Sequence, residues 1–507
     1  MLSKSSIATN ALWHTLAQLL SKGVRFLTIP IIVRLLEPEQ LGDVAITMAI
    51  TLFVATVFGN GGTIDTMVYF CKRTQHVFKT LFWFTVVVSG CLSSIVFGLS
   101  AHIVGWFGIP SALVYIQVMS LFLPVVMLQS VFLAKLIEQQ SFAYIAKCQA
   151  LVSTVATLIA IALAFSGFGA WSLISQHVFT ACALSMMLYR KIKVSHDEHF
   201  TRSTLTQILP YYYKSTLYNT VLWLGSQSPL FIVSKSIGSA GAGIYSAMGR
   251  AACIPMEVLG RAFQLSFFSE LSKATAEKEQ KHRLQQQFFW SIKFRFLVLT
   301  TLYTLGALLA EPVTHIVLGS QYALHSDVFF WLCLGFATIA STGELTGFLQ
   351  GTGRINIVTI LSFIRCSLVI GMCYLMWYVN GTLESIAQGF ALANVLLMLT
   401  YLCTLFGTLK FSFKDYLALC IPLYAVLFTA IGAALVTAKL ITTKLIATKL
   451  PPDWSPLYEV MGLSIAFACG FIVASLLFLP QESRAFKHIV KTKFIPLFRK
   501  HTFREQG

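Results

Sequence analysis

Apolar stretches long enough to cross a bilayer follow one another from about residue 11 to residue 479, broken only by short polar segments. A hydrocarbon core of about 30 Å is crossed by roughly 20 apolar residues in helix. In that medium a helix satisfies its own backbone N–H and C=O groups, which lipid cannot do. With 56% hydrophobic and 11% charged residues, the chain carries less than half the roughly 25% charge of a soluble domain. It therefore reads as one all-α polytopic membrane protein rather than a string of soluble domains.

Gly, Pro and charge punctuation predict about fourteen transmembrane helices. They fall near 11–33, 41–60, 80–104, 111–134, 142–165, 169–189, 207–234, 240–262, 288–310, 327–350, 355–379, 383–408, 414–438 and 457–479. Most of the 37 Lys and Arg residues lie in loops of one parity, at 61–79, 135–147, 190–214, 263–295, 351–354 and 409–414, and in the tail from Arg484 to Arg504. The opposite side holds Arg34, Lys235, Lys439, Lys444 and Lys449. Cationic loops stay on the cytoplasmic face, which predicts that both termini are cytoplasmic. The net charge of +17 is thus a membrane-face pattern, and no nucleic-acid motif accompanies it. The first apolar run contains His14 and Gln18, and Lys22 and Arg25 follow it, so it is not a cleavable signal. The eleven cysteines are scattered without a CxxC pair and read as small buried hydrophobes.

The chain also repeats. Ile32-Val33-Arg34 is followed by Gly42, and Ile232-Val233-Ser234-Lys235 by Gly243, an offset of 201 residues (34 to 235, 42 to 243). Two like halves facing each other across a cavity is a recurring transporter architecture. The expected organisation is an N-terminal lobe at 1–200, a second lobe at 201–410, two more helices at 411–480 and a basic cytoplasmic tail at 481–507. Two pseudo-symmetric six-helix lobes plus two C-terminal helices result.

Charges inside the spans point to chemistry. Arg250, Glu257 and Arg261 fall along one helical stripe at 100° per residue. In the first span His14, Gln18, Lys22 and Arg25 share a face, with Lys22 near mid-membrane. Each such charge costs about 2.5–3.5 kcal/mol at the bilayer centre and needs a partner, water or a task. A salt bridge between Glu257 and Arg261 that only fixes helix packing is one reading. A cationic cavity for something anionic is the other, since one carboxylate cannot neutralise two guanidinium groups. Arg365 in the eleventh span is a further cavity cation or the partner of Glu344. Asp65, after the Gly59-Asn60-Gly61-Gly62 break, either counters a cavity Arg or is a plain interfacial acid. Glu344 either titrates or binds a cation during transport, or is a neutral structural acid. Pro30, Pro124, Pro229 and Pro255 are candidate kinks. His196, Asp197, Glu198 and His199 resemble a metal site but such clusters are usually solvated loop residues. Phosphate-loop, HExxH and DxD-like motifs are absent, and the loops are short, which argues against an enzyme.

The exit "IIVRLLEPEQLG" of Asn10–Gly42, "FLAKLIEQQSFAYIAKCQA" (132–150) and "GFGAWSLISQHV" (167–178) resemble bacterial oligosaccharide flippases of the Wzx type. So do "GAGIYSAMGRAACIPMEVLGRAFQLSFFSELSK" (241–273) and "FLQGTGRINI" (348–357). The resemblance covers about residues 5–410 and places the chain with the multidrug/oligosaccharidyl-lipid/polysaccharide exporter superfamily. It implies a V of two six-helix lobes moving an undecaprenyl-pyrophosphate-linked oligosaccharide across the inner membrane, for O-antigen of lipopolysaccharide, capsule or exopolysaccharide. Polymerase and glycosyltransferases of the same pathway would be its partners beside membrane lipids. No cofactor is expected; a Na+ or H+ gradient would be the coupling source, with Asp65, Glu257 or Glu344 as carrier. An ion-coupled multidrug exporter of the same superfamily is the alternative, though the embedded charges lean positive. A membrane-bound polysaccharide polymerase is a more distant one, because the outer loops are small.

Overall fold

The structure, a computed structural model, describes residues 30–70, 74, 76–192, 199–260, 288–289, 291–293, 295–342, 344–351, 354–408, 413–448 and 455–479. Among these, regular structure is helical throughout. After a helical piece at 30–35, the chain enters α1 (Pro38–Phe70). There follow α2 (Val77–Phe107), α3 (Leu113–Glu138), α4 (Phe142–Phe165), α5 (Ala170–Lys191), α6 (Arg202–Ile237) and α7 (Ser239–Pro255). The second half continues with α8 (Ser291–Leu308), α9 (Ala310–Val317), α10 (Ser326–Thr342), α11 (Glu344–Gly351), α12 (Ile355–Asn380), α13 (Leu383–Cys403), α14 (Phe413–Thr448) and α15 (Ser455–Phe478).

Ten of the described helices are long and apolar enough to cross a membrane, and α10 is a shorter apolar one. The more polar α6 and α7 are not among the ten, and most of the expected first span lies outside the described residues. The expectation of about fourteen spans therefore rests partly on segments beyond those ten. Large side chains such as Trp83, Leu121, Leu158, Phe165, Leu399 and Phe428 are exposed, as outer faces turned to lipid require. Inward, one apolar cluster runs from Ile32 to Ala393 and joins both halves, while Leu423, Val426, Phe467 and neighbours tie α14 and α15 to Phe296 and Leu309.

Three expectations are corrected. The second span does not end at 60: its glycine break is a π segment (Ala55–Ile64) and helix continues to Phe70, placing Asp65 inside the span. A π turn absorbs the break because an extra residue per turn keeps the backbone hydrogen-bonded. The loop expected from 439 begins later, since α14 runs to Thr448 and carries Lys439 and Lys444. Arg295, expected in the 263–295 loop, is a helical residue only 7% exposed.

Candidate functional site

The two halves meet where α1 crosses α7, and the 201-residue offset is visible there atom by atom. A Cβ added to Gly42 would overlap the Ser239 carbonyl oxygen, and one added to Gly243 would overlap the Pro38 carbonyl oxygen. Positions 38 and 239, like 42 and 243, are the same step of the repeat. Each glycine thus lets the partner helix's backbone approach as closely as small residues permit in membrane packing. The π segments also correspond, beginning at Ala55 in α1 and at Met256 after α7. Beside this crossing the Ser239 hydroxyl lies 2.6 Å from Asp43 Oδ1 and 2.7 Å from the Glu39 carbonyl oxygen. Asp43 is 5% exposed.

At the same end of the bundle two basic residues reach across in opposite directions. Arg34 of the first half donates to the Ile316 carbonyl at the end of α9. Lys235, its repeat counterpart, donates to the Trp106 carbonyl at the end of α2 and stands 5.1 Å from the Trp106 ring centre. Both side chains are exposed. A charged donor in water-accessible surroundings contributes about 0.5–1 kcal/mol here, discounted from the buried value. Arg34→Ala and Lys235→Ala should each shift the ratio of closed to open at this end roughly two- to five-fold toward open. Together they should add, being separate contacts. Spin-label distances across this end check this; unchanged distances in the double variant would count against the clasps.

Toward the other end, α1 meets α6. Gly61 and Gly62 leave room for Asn219 and Tyr212, against which a Cβ would collide. Tyr212 donates from its hydroxyl to the Phe58 carbonyl at 3.0 Å, using an oxygen the π segment presents. The Ser215 hydroxyl lies 2.6 Å from Asp65 Oδ2 and 2.7 Å from the Gly61 carbonyl oxygen. Asn219 donates to the Ser215 carbonyl at 2.8 Å. This repeats the Ser239 arrangement: a serine of the second half set over a carbonyl and the carboxylate four residues later on α1.

The predicted site residues scatter over several helices. Arg250, in α7, is surrounded by protein on a long range yet accessible at its surface, and makes no ion pair among the described residues. Glu257 is exposed in the π segment after α7 and lies 3.8 Å from the Cys253 thiol, which donates to it. That π segment changes the rotation per residue, so the simple 100° stripe joining 250, 257 and 261 does not carry through it. Arg365, half-buried in α12, has its Nε buried without a hydrogen-bond partner. Its neighbour Cys366 lies against Gly225 of α6, and α6 also packs on α7. Lys22, Arg25, Arg261, His196, Asp197 and Glu198 lie outside the described residues, as does the side chain of Glu344 at the start of α11. The described cysteines are free thiols.

Sequence reasoning passed over Arg295, whose Nη2 is 3.3 Å from Met256 Sδ. It sits with Tyr303, whose hydroxyl accepts from the Met256 N–H at 3.0 Å just past Pro255. A position seven residues inside the predicted 288–310 span was the available signal. Ser215 and Asn219 were also passed over; their spacing of four opposite a glycine pair would have marked them.

Comparison with known proteins places this architecture. A polysaccharide biosynthesis protein family model matches residues 31–327. The succinoglycan biosynthesis transport protein ExoT of Rhizobium meliloti (strain 1021) is 24% identical over 349 residues, covering 69% of this chain and 70% of its own. The lipid II flippase MurJ in an inward closed conformation superposes with a TM-score of 0.73 at 14% identity, over 93% of this chain and 98% of that one. An inward-facing multidrug resistance MATE family transporter of the MOP superfamily gives 0.63 at 16% identity, over 78% and 94%. At these identities the two solved structures speak for the fold alone. With more than half its length matched, the chain belongs to the polysaccharide biosynthesis protein family, as a multi-pass membrane protein with the helical fold shared by MurJ and the MATE exporters.

Proposed function

We propose that this protein flips an undecaprenyl-pyrophosphate-linked oligosaccharide across the cytoplasmic membrane by alternating access. Residues 1–200 and 201–410 act as the two lobes, residues 411–480 flank them, and the tail at 481–507 lies on the cytoplasmic side with the N-terminus. Arg250 carries the reading. A guanidinium with protein around it, accessible and without a described carboxylate partner, supports reading its surroundings as a hydrated chamber short of negative charge. Pyrophosphate supplies that charge, and lipid would not solvate it. The planar donors of Arg suit phosphate oxygens bidentately. Arg365 offers a second unsatisfied donor, and Lys22, Arg25 and Arg261 are the other cations assigned to the chamber. The glycan would occupy the wet chamber while the polyprenyl tail stays in lipid.

Purified protein should bind undecaprenyl pyrophosphate and lose affinity as salt rises, while the uncharged polyprenol binds weakly at any ionic strength. Native mass spectrometry or a tryptophan-fluorescence titration measures both. Equal binding of the two lipids would overturn the cationic-chamber reading, and a cation-selective drug response would favour the exporter alternative.

A further inference from the structure

The contact between Asp65 and Ser215 holds more oxygen atoms than hydrogens. Ser215 Oγ has one hydrogen, yet it lies 2.6 Å from Asp65 Oδ2 and 2.7 Å from the Gly61 carbonyl oxygen. Both distances are those of full O–H···O bonds, with no lengthening of the kind a shared hydrogen brings. The Asn219 amide does not supply the missing one: it donates to the Ser215 carbonyl at 2.8 Å, is 3.5 Å from Ser215 Oγ and also reaches the carboxylate. If Asp65 were ionised, one of the two short contacts would set a pair of acceptors against each other.

We propose that Asp65 carries a proton while the α1–α6 seam is joined as in this structure, donating it to Ser215 Oγ while Ser215 donates its own hydrogen to the Gly61 carbonyl, and that loss of this proton releases the seam. Because α1 belongs to the first repeat and α6 to the second, the seam joins the two halves. On release the proton passes from Asp65 Oδ to water at the exposed carboxylate. Ser215 then turns its hydrogen to the carboxylate, and the Gly61 carbonyl is left facing an oxygen lone pair. The new charge also draws water into the seam, so both changes favour parting. In the orientation set by the basic loops this is the cytoplasmic half of the molecule. The same oxygen count applies to Asp43, Ser239 and the Glu39 carbonyl at the opposite end.

The helical turn Asp65–Phe70 packs against α6, α3, α2 and the π segment of α1. From α6 come Tyr211, within electrostatic reach and stacked on Tyr69 at 4.6 Å, the buried Tyr212, and exposed Tyr213 and Lys214. From α3 comes Lys135, paired with Glu138 at 2.8 Å. From α2 comes Lys79; the π segment has no titratable residue. No other carboxylate of α1 shares the seam with Asp65.

The proposal deepens the transporter reading and relies on it only for giving the seam a gate to control. The test uses full-length protein in lipid nanodiscs on a cysteine-free background, spin-labelled at Lys147 and Asn356, both at this end of the bundle. The expected result is a short distance in acid giving way to a longer one as pH rises. The ratio of the two should change by up to about ten-fold per pH unit, the limit for one proton. Asp65→Asn, whose amide donates as the neutral acid does, should hold the short distance at every pH. Ser215→Ala should flatten the response by removing the bridge. Asp43→Asn should leave this end's titration unchanged. An infrared band of a protonated carboxyl, present in acid and missing in Asp65→Asn, gives a second readout. A wild-type distance independent of pH, or Asp65→Asn titrating like wild type, would overturn the proposal. So would closure by sodium at fixed pH, which would make the bridging species a metal cation. If Asp65→Asn does not fold, the wild-type series and Ser215→Ala decide. None of these readouts needs the glycolipid, so failure to bind pyrophosphate lipid would sink the transport reading while leaving this result standing.

Discussion

Replacing Arg250 by alanine is expected to lower affinity for a pyrophosphate lipid by roughly 10- to 150-fold. A hydrogen bond to a charged group is worth about 1.5–3 kcal/mol, and each 1.4 kcal/mol is a factor of ten. Arg250→Lys keeps the charge but loses the planar fork, so it should fall between wild type and alanine. Arg250 makes no ion pair among the described residues, so its removal strands no described carboxylate. Thermal stability should therefore stay close to wild type, which separates a binding role from a packing one. Adding Arg261→Ala should abolish both binding and complementation of glycan export. Unchanged binding by the double variant would remove these two residues from the chamber. Unchanged binding by Arg250→Ala alone would be enough to show that its accessibility has another cause.

The second large effect is steric and symmetric. Gly42→Ala places a methyl group into the Ser239 carbonyl, and Gly243→Ala places one into the Pro38 carbonyl. Neither obstacle is the end of a flexible side chain, so a helix must move. Overpacking of this kind costs about 1–3 kcal/mol, which is roughly 5- to 150-fold in the balance between states. The cost falls on the state in which α1 and α7 touch. Both variants should populate the state open at that end and should slow transport to similar degrees, because the two contacts are related by the repeat. Larger side chains should worsen the effect in order of volume. Spin-label distances across the Arg34–Lys235 end, with a glycan export assay beside them, measure it. If one variant were harmless and the other severe, the reciprocity of the crossing would be lost. The Arg34 and Lys235 alanine variants open the same end more gently, so they offer an internal scale.

Much of the fold was legible because a bilayer makes helices self-sufficient. The runs at 80–104 and 355–379 predicted α2 and α12 to within three residues at each end. The errors have physical causes. At Gly59–Gly62 a cluster that would end a helix in water instead widens into a π segment, because lipid penalises an open backbone more than it penalises irregular winding. Arg295 was read as a loop cation because charge was used as punctuation, yet it lies within the helix against Met256. The stripe through Arg250 and Glu257 assumed constant rotation, which the π turn at Met256–Gly260 does not keep. Asp65 was read as the counter-charge of a cavity arginine or as a plain interfacial acid, whereas Ser215 is the side chain that stands against it. Serine and asparagine, common and individually unremarkable in a helix, carried no such flag.

The sequence by itself determined that the chain is helical, crosses a membrane many times and repeats itself at 201 residues. Those properties follow from apolar length, loop charge and recurrence, all local to the chain. Only the tertiary structure decided which groups meet. Asp65 and Ser215 are 150 residues apart, Asp43 and Ser239 are 196 apart, and Arg34 reaches a carbonyl 282 residues away. Such pairs form because glycines let two backbones touch and because a π turn redirects a face. Both are consequences of packing between helices, where sequence spacing along one helix gives no measure of distance.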